Sequence, residues 1–201
     1  LDGPSPEIYS CLGKAYYYLE DFSTAISFYQ KSIKIDQLYK KSYYGLGLCL
    51  SALDKWFEAI HYFKKAYKFD NENIDFIKSL AYSEFKVGNL VSSIDLYNRA
   101  LAIDPTDVNL SLDFSLIYYE SGDIERAISI IKDAIKEISE ESLLYYRLVI
   151  YLMDAGKYKE SISVLESALS LNFDNHEVLF DFIPNFIMIF SSFSNFYLYK
   201  I

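Results

Sequence analysis

Apolar residues along the chain recur at helical spacing, in short stripes that come in pairs. Ser5-Pro6-Glu7 has the form of a helix start, with a capping hydroxyl, proline at the first helical position and an acid in the first turn. Ile8, Leu12, Ala15, Tyr16 and Leu19 then lie on one side of the predicted helix. Glu20-Asp21 interrupts that stripe. Phe22, Ala25, Ile26, Tyr29, Ile33 and Ile35 form the stripe of a second helix, closed by Asp36-Gln37. Helices this short are marginal in isolation, so each pair must be stabilised by its own contact and by the next pair.

The same pair returns every 34 residues without insertion. The joint Gly122-Asp123-Ile124-Glu125-Arg126-Ala127-Ile128 aligns with Gly88 to Ile94, Gly156 to Ile162, Asp54 to Ile60 and Glu20 to Ile26. The last slot is isoleucine in all five copies. A fixed period of this length is the mark of a solenoid built from stacked helical hairpins. The chain therefore divides into repeats at 6–39, 40–73, 74–107, 108–141 and 142–175, after an N-terminal extension or remnant at 1–5. Two columns hold small residues: Ala25, Ala59, Ser93, Ala127 and Ser161, then Ser32, Ala66, Ala100, Ala134 and Ala168 seven positions later. Small side chains seven apart share a helix face and let a neighbouring helix come close, so both columns are structural.

With these columns in place the chain resembles a tetratricopeptide repeat (TPR) protein. The motif's large residue, Leu-Gly, Tyr, Ala, aromatic and small residue read Tyr9, Leu12-Gly13, Tyr16, Ala25, Tyr29 and Ser32 in the first repeat. In the second they read Tyr43, Leu46-Gly47, Leu50, Ala59, Phe63 and Ala66. Later copies drift: Ala81, Ser115 and Val149 replace the glycine, and only Pro105 fills the proline slot. The resemblance implies an all-α fold, a right-handed α-solenoid of five helix-turn-helix repeats with a C-terminal capping region. It also implies a non-catalytic scaffold whose first helices line a groove for a peptide segment or a partner's helix.

Carried onto this sequence, the groove positions are Tyr17, Tyr44, Tyr82, Tyr119 and Tyr146, with Phe180 beyond. Leu48, Leu112, Leu116, Ile150 and Met153 lie between them; Lys14, Lys78 and Arg147 bring positive charge, and Asp75, Asp113, Glu120 and Asp154 negative. Tyrosine suits a binding surface because it offers apolar area and a hydroxyl at modest entropic cost. Packing of these rings between adjacent first helices is the competing reading. The carboxylate clamp of TPR co-chaperones is absent, since its best register, Lys78, Tyr82, Asp113, Leu143 and Arg147, matches only at the two ends.

Composition narrows the partners. A net charge of −9 argues against a nucleic-acid ligand, which needs clustered Lys and Arg. Repeat two carries six lysines against four acids, and repeat four three bases against eight acids, which fits either two differently solvated outer faces or a charge-steered partner site. Cys11 and Cys49 are expected to be buried free thiols, consistent with a reducing, cytoplasmic setting, although a chain starting at Leu1 leaves room for a removed leader. His61 and His176 stand far apart with no ligand spacing around them, and no phosphate loop or nucleophile motif appears. Neither enzyme activity nor a cofactor or metal is expected.

The tail departs from the pattern. His176-Glu177-Val178-Leu179 opens a partial sixth repeat, and Phe182 to Tyr199 is then uncharged for 18 residues. Three readings stay open for 176–201: a capping helix region that also forms a homodimer contact, a membrane anchor, and an artefact or truncation. An anchor is weakened by Pro184, Asn185 and Asn195. The alternative function that goes with the tail is an assembly or membrane-tethered structural protein working through 182–199.

Overall fold

The computed structural model describes residues 4–171; the capping tail, its apolar run and Phe180 lie outside them. Among the described residues the chain is ten helices and no strand. They pair as α1 (Pro6–Tyr18) with α2 (Phe22–Ile35), α3 (Lys40–Ala52) with α4 (Trp56–Phe69), and α5 (Ile74–Lys86) with α6 (Leu90–Ile103). These six belong to a first compact unit that ends at Pro105. A second unit begins at Thr106 and contains α7 (Val108–Glu120) with α8 (Ile124–Glu137), and α9 (Ser142–Asp154) with α10 (Tyr158–Ser170). Within each unit every helix packs on its hairpin partner, and every second helix also packs on the next first helix.

Each hairpin joint is the same backbone device. The residue after the first helix's C-cap adopts a left-handed conformation: Glu20 at φ 60°, Asp54 at 57°, Gly88 at 86°, Gly122 at 87° and Gly156 at 72°. The next amide then reaches back to a carbonyl of the helix's last turn, as Asp21 to Tyr16 at 3.0 Å and Asn89 to Glu84 at 2.8 Å. This is the Schellman closure, which satisfies carbonyls the helix end would otherwise strand. Side-chain caps start α2, α5, α7 and α8, where Asp21, Asn73, Asp107 and Asp123 accept from a first-turn amide. Ser5 stands at the N-cap of α1, but its hydroxyl makes no capping bond. It bonds Glu7 instead and helps hold that carboxyl below its ordinary range.

Both small columns are sealed: the ten residues range from 0% to 6% exposed. Four residues after the first small residue of each second helix comes the bulky member, Tyr29, Phe63, Tyr97, Ile131 or Leu165, at most 5% exposed. In the first two hairpins these rings close against glycine. A Cβ added at Gly13 would lie 2.9 Å from the Tyr29 ring, and one at Gly45, on the next first helix, would lie 2.2 Å from it. Gly47 meets Phe63 in the same way at 2.4 Å. Burying such a ring contributes roughly 1.5–3 kcal/mol, and a tight fit is needed to obtain it.

Two expectations for α1 fail. Ile8 and Leu12 are 52% and 38% exposed, whereas Leu46, Leu80 and Leu148, in the slot of Leu12, are no more than 3% exposed. The difference is the second helix that precedes α3, α5 and α9 in its unit; among the described residues none precedes α1. For the same reason Cys11 is exposed. Cys49 is buried, and burial pushes its thiol up to about 12.

Left-handed backbone at a non-glycine residue costs about 1–2 kcal/mol. Asp54→Gly should therefore raise stability in denaturant titrations by about 0.5–1 kcal/mol, the remainder being lost to chain entropy. Gly45→Ala should do the opposite, costing about 1–3 kcal/mol as Tyr29 is displaced, and thermal melting will show it.

Candidate functional site

A solenoid made only of packing columns offers function through its exposed helix faces. In the first unit those faces carry Tyr17, Tyr44, Lys78 and Tyr82, all partly buried. Tyr44 is a packing residue. Its ring lies 4.8 Å from Phe76 and 5.7 Å from Phe63, and its hydroxyl is 3.1 Å from Ser79 Oγ. Burial raises its pKa, with the Ser79 bond acting in the other direction. Tyr17 leans on Phe22 at 5.7 Å and on the cluster of Ala25, Tyr29, Leu46 and Cys49. Leu48 packs likewise beside Ala59, Phe63 and Leu80.

Tyr82 is different. It stands edge-on to Trp56 at 5.8 Å, and the ammonium of Lys86 lies 5.6 Å from the Trp56 ring and 5.9 Å from the Tyr82 ring. A cation over two aromatic faces is attracted by their quadrupoles. Lys78 is one turn away on the same helix. Sequence reasoning found Tyr82 but missed Trp56 and Lys86, because it confined the site to first-helix groove positions, and Trp56 opens a second helix.

In the second unit, Leu112 is only 8% exposed and belongs to the core instead of the surface. Leu110, Ser111 and Leu112 of α7 are buried together. Leu116, Tyr119, Tyr146, Arg147 and Ile150 are partly buried. Tyr146 packs with Met153 on Val149 and Leu165. Tyr119 and Arg147 gather round Tyr151. Tyr119 stacks on that ring at 4.8 Å, and the Arg147 guanidinium lies 5.9 Å from its centroid. The Tyr119 hydroxyl donates to Asp154 Oδ2 at 2.6 Å, and the Tyr151 hydroxyl is 3.3 Å from Ser115 Oγ. Arg147 has no carboxylate within ion-pair distance among the described residues, and its Nε is buried without an acceptor.

Tyr151, the centre of this cluster, was not foreseen. Its signal lay in the column: the slot holds Ala15, Cys49, Ser83 and Ile117 in the other repeats, so a ring there is an exception. Burial pushes the Tyr151 hydroxyl upward, opposed by Ser115 and Arg147.

No three potential metal ligands converge among the described residues, and none of the described helices is long and apolar enough to cross a membrane. His61 is exposed and stands edge-on to Tyr62 at 5.2 Å.

Residues 6–39, 84–149 and 143–175 match sequence profiles of the tetratricopeptide repeat. The TPR repeat-containing protein MJ1428 of Methanocaldococcus jannaschii is 22% identical over 165 residues. That match takes in 74% of this chain but 29% of the relative, so the chain spans less than a third of that relative's length. Among solved structures, MamA superposes with a TM-score of 0.68 at 22% identity, covering 83% of this chain and 91% of MamA. YrrB, described as a TPR protein with an unusual peptide-binding site, superposes at 0.61 with 18% identity, covering 86% and 89%. These two likenesses establish the fold.

The bond from Tyr119 to Asp154 makes a pH prediction. Asp154 accepts that proton and repels the phenolate, so the Tyr119 pKa is raised, first by the hydrogen bond and then by the charge. A raised folded-state pKa gives stability that is complete below the unfolded value and is lost as pH rises through the folded one. In tyrosine-labelled NMR spectra, Tyr119 should titrate later than a free tyrosine, and Asp154→Asn should move its midpoint down. An unmoved midpoint would show that the bond does not form in solution.

Proposed function

The chain belongs to the tetratricopeptide repeat family, and on that premise we propose that it is a non-catalytic scaffold binding an extended segment or helix of a partner protein. The TPR fold supports the broader role of a protein-interaction scaffold. The finer reading concerns where the partner lies: on the first-helix faces, at Tyr82 in the first unit and around Tyr119, Arg147 and Ile150 in the second.

The observation that carries this reading is Arg147. Its guanidinium is held beside Tyr151 without a carboxylate partner among the described residues, although Tyr119 next to it is tied to Asp154. A guanidinium in that position offers directed N–H donors to an acidic residue of a partner, with the neighbouring rings supplying apolar contact. Tyr17 and Tyr44 contribute by packing, not by contact with the partner. Lys78 supplies a positive charge one turn from Tyr82. The peptide-binding site named for YrrB is consistent with this use of the fold, though it speaks for that protein alone.

Partners captured from a lysate on the immobilised chain and identified by mass spectrometry should fall at least about tenfold when Arg147→Ala and Tyr119→Ala are combined, a loss of about 1.4 kcal/mol or more. Helicity by circular dichroism should stay unchanged, and melting should drop by no more than about 4–8 °C. Collapse of the melt would mean that these side chains are core, and capture at full strength would sink the first-helix reading.

A further inference from the structure

Residue 84 breaks a column. Its slot holds Tyr16, Leu50, Tyr118 and Leu152 in the other four repeats and a carboxylate here, yet Glu84 is only 2% exposed. Lys64 of α4 places Nζ 2.7 Å from Glu84 Oε1, and Asn89 Nδ2 donates to Oε2 at 2.7 Å. Asn89 is the N-cap residue of α6, and its side chain makes no capping bond. Burying a charge is costly, and a well-packed apolar residue in the same place is often the more stable choice. Glu84 thus carries a cost that its column neighbours avoid.

A cleft of about 870 Å³ opens beside it, between α4 and α6. Leu80 and Leu96 line it with Tyr67, and Lys64, Asp95 and Arg99 stand around it. The chain's own cations already show what the cleft accepts. Lys64 is on Glu84, and Arg99 lays its guanidinium 5.3 Å from the Tyr67 ring centroid while Nη1 donates to the Tyr67 hydroxyl at 2.5 Å. The Lys64 side chain is 59% exposed, so it can swing away from the carboxylate into solvent. The deeply buried charge is the negative one, and Asp95 adds a second acid.

We propose that this cleft is a second binding site and that it takes an arginine side chain from a partner protein. Glu84 forms the anionic end, where a planar guanidinium replaces Lys64. A carboxylate offers about four lone-pair positions, and Lys64 and Asn89 use two, which leaves room for the paired N–H bonds of a guanidinium. The Tyr67 ring is already taken by Arg99, and Leu80 and Leu96 receive the aliphatic stem. Arginine is favoured over lysine because it is less strongly hydrated and its donors are fixed in a fork. The site lies on the second-helix side and does not rest on the first-helix reading.

The probe is N-acetyl-arginine amide, added to the full chain while the Asn89 side-chain amide and the Val91 and Ser92 backbone amides are followed by NMR, with N-acetyl-glutamine amide as the uncharged control. The arginine compound should give saturable shifts and the control none. Lys64→Met, which removes the internal competitor, should tighten binding by about tenfold. Glu84→Leu should abolish the shifts while the chain stays folded, since two other repeats carry leucine in that slot. Three results would overturn the proposal: no shifts in the parent chain, equal shifts with the uncharged amide, or undiminished shifts in Glu84→Leu. Should Lys64→Met fail to fold, the parent and Glu84→Leu decide alone. Arg147→Ala should leave the titration unchanged, so either site can fail without the other.

Discussion

The contact on which the structure depends is that between a bulky side chain on each second helix and small residues on the helices around it. Tyr29 is seated against Gly13 of its own hairpin and Gly45 of the next, with less space at either than a methyl group needs. Beside it the columns at Ala25 and Ser32 remove every side chain that could hold the backbones apart. Close approach lets two short helices, neither stable alone, bury enough apolar surface to hold together. It also couples each hairpin to its neighbours in the unit, so stability is a sum of local terms along the array.

Such an arrangement leaves electrostatics a minor role in stability. The ion pairs between elements, such as Lys40 with Asp70, Lys132 with Glu160 and Lys157 with Glu125, are substantially exposed. Pairs of that kind contribute little, because water and salt screen them. The hairpin joints are likewise geometric: a left-handed residue and one returning hydrogen bond set the turn, whether glycine or a strained acid occupies it.

Where packing alone explains almost every column, the departures stand out. A ring at Tyr151 sits where other repeats use smaller side chains, and Tyr119 and Arg147 assemble around it. A carboxylate at Glu84 sits where the others use a ring or leucine, and a cleft lies beside it. At Glu84 the buried carboxylate is held by Lys64 and Asn89, as a buried polar group requires. The two departures supply what a featureless array lacks: a guanidinium without a carboxylate partner among the described residues of the second unit, and a buried anion in the first.

The amino-acid sequence determined the helices, the 34-residue register and the residues that seal each hairpin. Periodic apolar spacing and mandatory small residues are local demands, and they are written in order along the chain. The sequence could not determine which tyrosines were surface. Tyr17, Tyr44, Tyr82 and Tyr119 are all expected on the groove face of a first helix, yet Tyr44 is wedged between Phe63 and Phe76 while Tyr119 turns its hydroxyl to Asp154. Nor could it tell that Leu112 is core, or that Ile8, Cys11 and Leu12 have no covering helix among the described residues. Whether a side chain packs or protrudes depends on which neighbouring helix lies against it, and that contact joins residues far apart in the chain. Only the tertiary structure decided it.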